Sequence, residues 1–338
     1  MKKIIVMPIK NEDWILELSL RCASLWADHI IVADQNSTDK TAEICQKFEK
    51  VIYIKNFREE LDQSYARQLL LDKTRELFGN DNIILALDAD EIISANVLHN
   101  VDFENIINNL TPGQSLVLQW IMLFGGLDYY IIDNQSVWGN NYKHFLFRDN
   151  GKYNFSDKKT SEPRMPEEYI KNSIQCEEIK ILHFHFLDLE RMLSKQRRYR
   201  ISDYLENPGL FKAIKINRMY FITKQLKNLD MAQLPKSWLE NYGKIDFDFK
   251  TERLYWYDIE VLKYFTKHNI SKFKWLDIWD VDWEEKRKLT IKKGYKSEIS
   301  DFEIKDPRKI FQKFYHNKLQ NFLSDNSVLY KIYKLLKK

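Results

Sequence analysis

Through residues 1–91, short apolar runs alternate with segments whose apolar residues recur every three or four positions. Residues 4–7, 29–33, 51–54 and 83–87 are the short runs, rich in Ile and Val, and read as buried strands. Between them, residues 12–25 carry Trp14, Ile15, Leu18, Cys22 and Leu25 at helical spacing, and residues 39–48 and 64–78 read as further helices. Gly79-Asn80-Asp81-Asn82 stops the last of these. This alternation predicts an α/β fold of the Rossmann-like kind, a mostly parallel sheet with helices on both faces. Ligands of such sheets bind at the carboxyl ends of the strands.

Beyond Glu91 the order changes. A helix is expected over residues 96–110, strands over 116–124, 145–148 and 179–186, and a basic helix over 189–205. Asn207-Pro208-Gly209 marks a boundary. The chain therefore reads as an α/β domain over residues 1–205 and a mainly helical C-terminal extension over residues 206–338.

Composition narrows the class. The 338 residues are 44% apolar and 30% charged, the balance of a globular chain. The net charge is +4, but residues 301–338 hold nine Lys/Arg against four Asp/Glu, so the rest is nearly neutral. A nucleic-acid binder carries its basic excess across a working face, and that class is set aside. Within the basic tail, Leu329, Ile332, Tyr333 and Leu336 form an apolar stripe. Such a helix either docks on its own domain or makes peripheral contact with an anionic membrane surface. Cys22, Cys45 and Cys176 form neither a disulfide framework nor a zinc pattern. The first apolar run ends at Pro8, too short for a signal peptide, and no run approaches the ~20 residues of a membrane span. The expected location is cytoplasmic, with peripheral membrane contact and a homo-oligomer left open.

The candidate chemistry gathers where the fourth strand ends, at Asp88-Ala89-Asp90-Glu91. Carboxylates this close repel one another and are costly to desolvate. A divalent metal, Mn²⁺ or Mg²⁺, would relieve the conflict while holding substrate phosphates. The plainer reading is a set of solvated loop acids or a helix cap. Polar residues also close the other strands: Pro8 to Glu12, Asp34 to Asp39, and Ala66-Arg67-Gln68 at the start of a helix. Asp34 could accept from a base or ribose and Arg67 could hold a base or phosphate, although Asp34 to Asp39 is also an ordinary capped turn.

Pro8-Ile9-Lys10-Asn11-Glu12, Ala33-Asp34-Gln35-Asn36-Ser37-Thr38-Asp39-Lys40-Thr41 and Leu87-Asp88-Ala89-Asp90-Glu91 together resemble glycosyltransferase family 2, of GT-A fold. The resemblance covers roughly residues 1–200. It implies an inverting transferase that uses a nucleoside-diphosphate sugar, most often a UDP-sugar, and a glycan or lipid-linked acceptor. By position it implies nucleotide contacts at Pro8, Asn11, Glu12, Asp34, Arg67 and Asp88, and a metal ligand at Asp90. The family often has two acids and a Gly where this chain has Asp34-Gln35-Asn36-Ser37.

Strand alternation puts His183 and His185 on one face, as metal ligands, phosphate contacts or hydrogen-bonded structural histidines. Their spacing to Lys195 and Tyr199 resembles a subgroup that builds bacterial surface glycans. That likeness favours His183 on the metal side, with His185 as second choice or a phosphate or acceptor contact; Lys195, Arg198 and Arg200 either bind phosphate groups of donor or acceptor or form a solvated basic helix face. A carboxylate must take the acceptor proton. The candidates are Asp149, Asp157 and Glu162. Ser161-Glu162-Pro163-Arg164 resembles the family's segment for this role, which favours Glu162, with Asp157 in reserve. Two other classes stay open: an Asp88-nucleophile phosphotransferase, and a non-catalytic nucleotide-sugar-binding scaffold.

Overall fold

A computed structural model describes residues 1–58, 62–133, 138–156, 163–220, 229–245, 247 and 254–319. Asp157, Glu162 and the basic tail stripe lie outside these residues. The chain divides into two compact units, residues 1–187 with 230–248, and residues 188–229 with 249–338.

The first unit opens with β1 (Lys3–Ile9), α1 (Asp13–Trp26), β2 (His29–Asp34), α2 (Thr41–Cys45), β3 (Val51–Lys55), α3 (Gln63–Phe78) and β4 (Ile83–Ala86). These are the strands and helices expected from the apolar runs, with α2 shorter than the 39–48 pattern. Next come β5 (Glu91–Ile93), α4 (Val101–Asn109), β6 (Ser115–Phe124), β7 (Tyr129–Ile131), β8 (Asn141–Arg148), α5 (Glu167–Ile170) and β9 (Ser173–Phe186). Strands β3, β2, β1 and β4 are neighbours in that order and run parallel. Beyond β4 the sheet turns mixed: β8 is antiparallel to β4 and to β6, while β9 runs parallel to β6 and antiparallel to β5.

Burial explains this half. Ile4, Val6, Ile31, Ala33, Ile84 and Ala86 pack against Leu70 and Leu71 of α3. Their alternates Ile5, Met7, Ile30, Val32 and Leu85 are buried too, so both faces are covered. Asp62 caps α3 by accepting from the Tyr65 amide, and Gly79, at φ +76°, ends it. The chain then enters β4 and reaches Asp88 at the carboxyl edge. Of the helix expected over 96–110, Ala95–His99 forms a 3-10 turn and Val101–Asn109 forms α4. Before it, Glu91 to Ile93 pairs with His183 to Ile181 as a short strand. The three cysteines are free and buried, and burial holds the Cys22 and Cys45 thiols up at about 12.

After β9 the chain forms α6 (Leu189–Glu206) and α7 (Leu210–Met219) of the second unit, then returns for β10 (Met231–Gln233), which pairs with β7. The second unit continues with α8 (Trp256–Lys267), α9 (Trp283–Lys292) and α10 (Ile310–Phe314). Its core gathers Ile201, Ala213, Val261, Phe265, Phe273 and Trp279. Ser194 and Lys286 both donate to the buried Asp258, at 2.7 and 2.8 Å. The first division between the compact units falls after Leu187. The reason is that α6 packs with α7 and α8. Among the described residues, no helix is long and apolar enough to cross a membrane.

Candidate active site

The loops after β1 and β2 are tied to each other. Asn11 and Asn36 adopt left-handed backbone, at φ +54° and +52°, a conformation Asn tolerates better than most residues. Asn11 Oδ1 accepts from the Thr38 amide at 2.7 Å, and the Asn11 amide donates to Ser37 Oγ at 2.8 Å. The Glu12 amide donates to Thr41 Oγ1, and Trp14 Nε1 donates to Glu12 Oε2 at 2.7 Å. Asp34, buried at the end of β2, accepts from Tyr53 Oη at 2.6 Å and from the amide and hydroxyl of Ser37. The capped-turn reading of Asp34 to Asp39 thus describes part of this loop.

Pro8, Arg67 and Asp88 line one cavity at the carboxyl edge, with Ile84 and Leu87 beneath and Arg164 beside them. Arg67 also donates to the Pro163 carbonyl at 2.7 Å. Neither Asp34 nor Asp90 lines this cavity.

The acidic motif splits its three carboxylates between two partners. One Arg164 nitrogen donates to Asp88 Oδ2 at 2.9 Å and to Glu91 Oε1 at 2.6 Å. The other Glu91 oxygen accepts from the Asp88 amide at 2.8 Å. Glu91 is fully buried, and burial holds its carboxyl above the ordinary range despite Arg164. Burial works against the charge of Arg164, but Asp88 and Glu91 more than offset it, and its pKa is raised. The repulsion expected within the motif is therefore met, for Asp88 and Glu91, by a protein cation, Arg164. Asp90 turns elsewhere.

Asp90 meets the two histidines. Strand β9 pairs with β5 so that His183 stands opposite Glu91. His183 Nε2 then lies 3.3 Å and His185 Nδ1 3.9 Å from Asp90 Oδ2, and the donor atoms of all three lie within 4.8 Å of one another. His183 Nδ1 faces Met122 Sδ at 3.2 Å, and a proton there leaves Nε2 as the ligating lone pair. One carboxylate oxygen and two imidazole nitrogens form a group that could hold a divalent cation. His185, the second choice for the metal side, stands in the same cluster as His183.

Three more side chains complete this wall. Register pairs Leu118 of β6 with Lys143 of β8, and Met122 of β6 with His183 of β9. Trp120 thereby shares a face with both. Its ring stacks on His183 at 4.6 Å, and Lys143 Nζ lies 3.5 Å from its centre. The Arg164 guanidinium sits 4.7 Å from the centre of Phe145. Sequence reading passed over Trp120, Lys143 and Arg164; the available signal was a basic residue on a strand among aromatics at Lys143.

Asp149 is excluded as the proton acceptor by its surroundings. Arg75 clamps it with two bonds of 2.8 Å, and Tyr169 donates to it at 2.6 Å. Asp157 and Glu162 fall outside the described residues. Lys195 and Arg198 stand on α6 of the second unit, where Arg198 is buried near the rings of Tyr199 and Trp256.

Residues 4–158 match the family model "Glycosyl transferase family 2". No curated protein matches the chain. Among solved structures, S. aureus TarS is similar at 14% identity and TM-score 0.39, over 65% of this chain and 43% of that one. Glucosyl-3-phosphoglycerate synthase from Mycobacterium tuberculosis, in complex with Mn²⁺, UDP and glucosyl-3-phosphoglycerate, is similar at 18% identity and TM-score 0.26, over 37% of this chain and 45% of that one. The chain spans less than half the length of either structure. Residues 4–158, with the acidic motif at the end of β4, are thus similar to glycosyl transferase family 2.

Proposed function

We propose that the enzyme moves a sugar from a nucleoside-diphosphate donor, most simply a UDP-sugar, to a glycan or lipid-linked acceptor with inversion. The observation that carries this reading is adjacency. Asp88 lines the cavity shared by Pro8 and Arg67, while Asp90, two residues on, meets His183 and His185. A nucleotide lying over the carboxyl edge beside that cavity would direct its diphosphate toward the second cluster.

Pro8, Asn11, Glu12, Asp34, Arg67 and Asp88 serve the nucleotide in this proposal. Asp34 and Asn11 do so by holding the loops that frame the base and ribose. Asp90, His183 and His185 would hold Mn²⁺ or a similar ion, which supplies positive charge against the diphosphate leaving group. Glu162, with Asp157 as the alternative, takes the acceptor hydroxyl proton. The acceptor oxygen bonds to the anomeric carbon as the bond to the diphosphate oxygen breaks, and that oxygen keeps the electron pair. Lys195 and Arg198 are proposed to serve phosphate groups of donor or acceptor. The products fit bacterial surface-glycan assembly at the cytoplasmic side of a membrane, with the basic tail as a peripheral contact. The reading is tested by a thermal-shift screen of nucleotide sugars with and without Mn²⁺. A rise in melting temperature for one donor class, larger with Mn²⁺, supports it. No shift with any nucleotide sugar contradicts it.

A further inference from the structure

Among the described residues, Lys143 is the cation of this wall with no hydrogen bond or ion pair. Arg164 has Asp88 and Glu91, and Arg67 has the Pro163 carbonyl. Lys143 makes no hydrogen bond and no ion pair with any described residue. Its ammonium lies over the Trp120 ring, whose neighbour in the stack is His183. The groups that act on it electrostatically are Arg164, Glu91, Asp88 and Arg67, the same groups that rim the cavity and close the acidic motif. Burial and the charge of Arg164 hold its pKa down to about 8, so the fold accepts a cost to keep an ammonium here. A stretch of apolar side chain would fill the same place over Trp120 without that cost. A lysine held at a cost, without a counter-ion, beside a site that a diphosphate would enter, is matched by an anion from outside the chain.

We infer that Lys143 is an anion-binding residue that takes the diphosphate of the nucleotide beside the Asp90 cluster, with Arg164 next to it. This rests on the proposed donor reading and adds a protein cation to the charge provided by the metal. The ammonium binds phosphoryl oxygens as a point charge, so it bears on affinity for the diphosphate and not on the base. It also gives the diphosphate a partner when no metal is present.

The test compares wild type, Lys143→Met and Lys143→Arg by calorimetry, with inorganic pyrophosphate, UDP and uridine as probes, in Mn²⁺ and in EDTA. Lys143→Met keeps the contact with Trp120 and leaves no acid unpaired, so it is expected to fold with a melting temperature equal to or above wild type. Pyrophosphate and UDP should each bind about tenfold more weakly to Lys143→Met, in Mn²⁺ and in EDTA alike, while uridine is unchanged. Lys143→Arg should recover most of the loss. UDP binding to Lys143→Met at wild-type strength overturns the inference and leaves the donor reading intact. Lys143-dependent pyrophosphate binding without any nucleotide binding keeps the inference and removes the donor reading. A Lys143→Met protein that loses UDP, pyrophosphate and uridine together, with a lowered melting temperature, assigns Lys143 to structure and also overturns it.

Discussion

His183 Nε2 lies 3.3 Å from Asp90 Oδ2, and each residue reaches that place by a different route. Asp90 follows the parallel strand β4, whereas His183 arrives on β9, paired antiparallel with the short strand that begins at Glu91. The contact joins residues far apart in the chain through a few backbone hydrogen bonds, including Phe184 N to Asp90 O at 2.9 Å. Metal affinity should therefore depend on both side chains. Asp90→Asn and His183→Ala are each expected to weaken Mn²⁺ binding at least about tenfold, read by calorimetry or by the Mn²⁺ electron spin resonance signal. Undiminished Mn²⁺ binding in both variants would place the metal elsewhere.

Arg164 should matter for stability as well as for charge at the cavity. Glu91 is fully buried and relies on Arg164. Arg164→Gln leaves that acid unpaired and is expected to cost about 3 kcal/mol in urea unfolding. Adding Glu91→Gln removes the buried charge and should return most of the loss. Equal stabilities of wild type and Arg164→Gln would show that the ion pair carries no such weight.

The sequence made some of this legible and hid the rest for identifiable reasons. The four strands from β1 to β4 declare themselves as short apolar runs, since a strand covered on both faces needs no alternation. The acidic motif at the end of β4 and the shared face of His183 and His185 follow from local spacing alone. Trp120, Lys143 and Arg164 do not. Trp120 and Lys143 meet through the register of β6 with β8 and β9, Arg164 arrives on the segment before α5, and nothing local records either placement. Asp149 misled for the same reason: the arginine that clamps it lies on α3, in a different part of the chain. The helix at 189–205 formed as read, but its packing against α8 decided which unit holds it.

Acid should unfold the protein partly through Asp149. Its carboxyl ordinarily titrates at 3.8. Burial pushes it up, but the bonds from Arg75 and Tyr169 prevail and hold it lower in the folded state. A depressed carboxyl contributes stability that is complete above the unfolded value of 3.8 and lost as pH falls through the lower folded value. Stability should thus decline below about pH 4. Asp149→Asn should be less stable at neutral pH, by about 3 kcal/mol, with a flatter decline in acid. Parallel acid limbs for the two proteins would contradict this.

Asn11 combines left-handed backbone with a bond that ties two loops. Asn11→Gly keeps the backbone freedom and loses the bond, so it should cost about 1 kcal/mol. Asn11→Ala loses both and should cost about 1 kcal/mol more. Chemical denaturation of the pair separates the two effects, and identical midpoints would remove the strain component.

The most direct test of the central claim is turnover of nucleotide sugars by wild type and Asp90→Asn, in Mn²⁺ and in EDTA, reading release of the nucleoside diphosphate. Wild type should release it from one donor class in Mn²⁺, with the rate falling at least about a hundredfold in EDTA or in Asp90→Asn, while Asp90→Asn keeps its melting temperature. Wild-type rates in a folded Asp90→Asn protein would contradict the assignment of this site to sugar transfer.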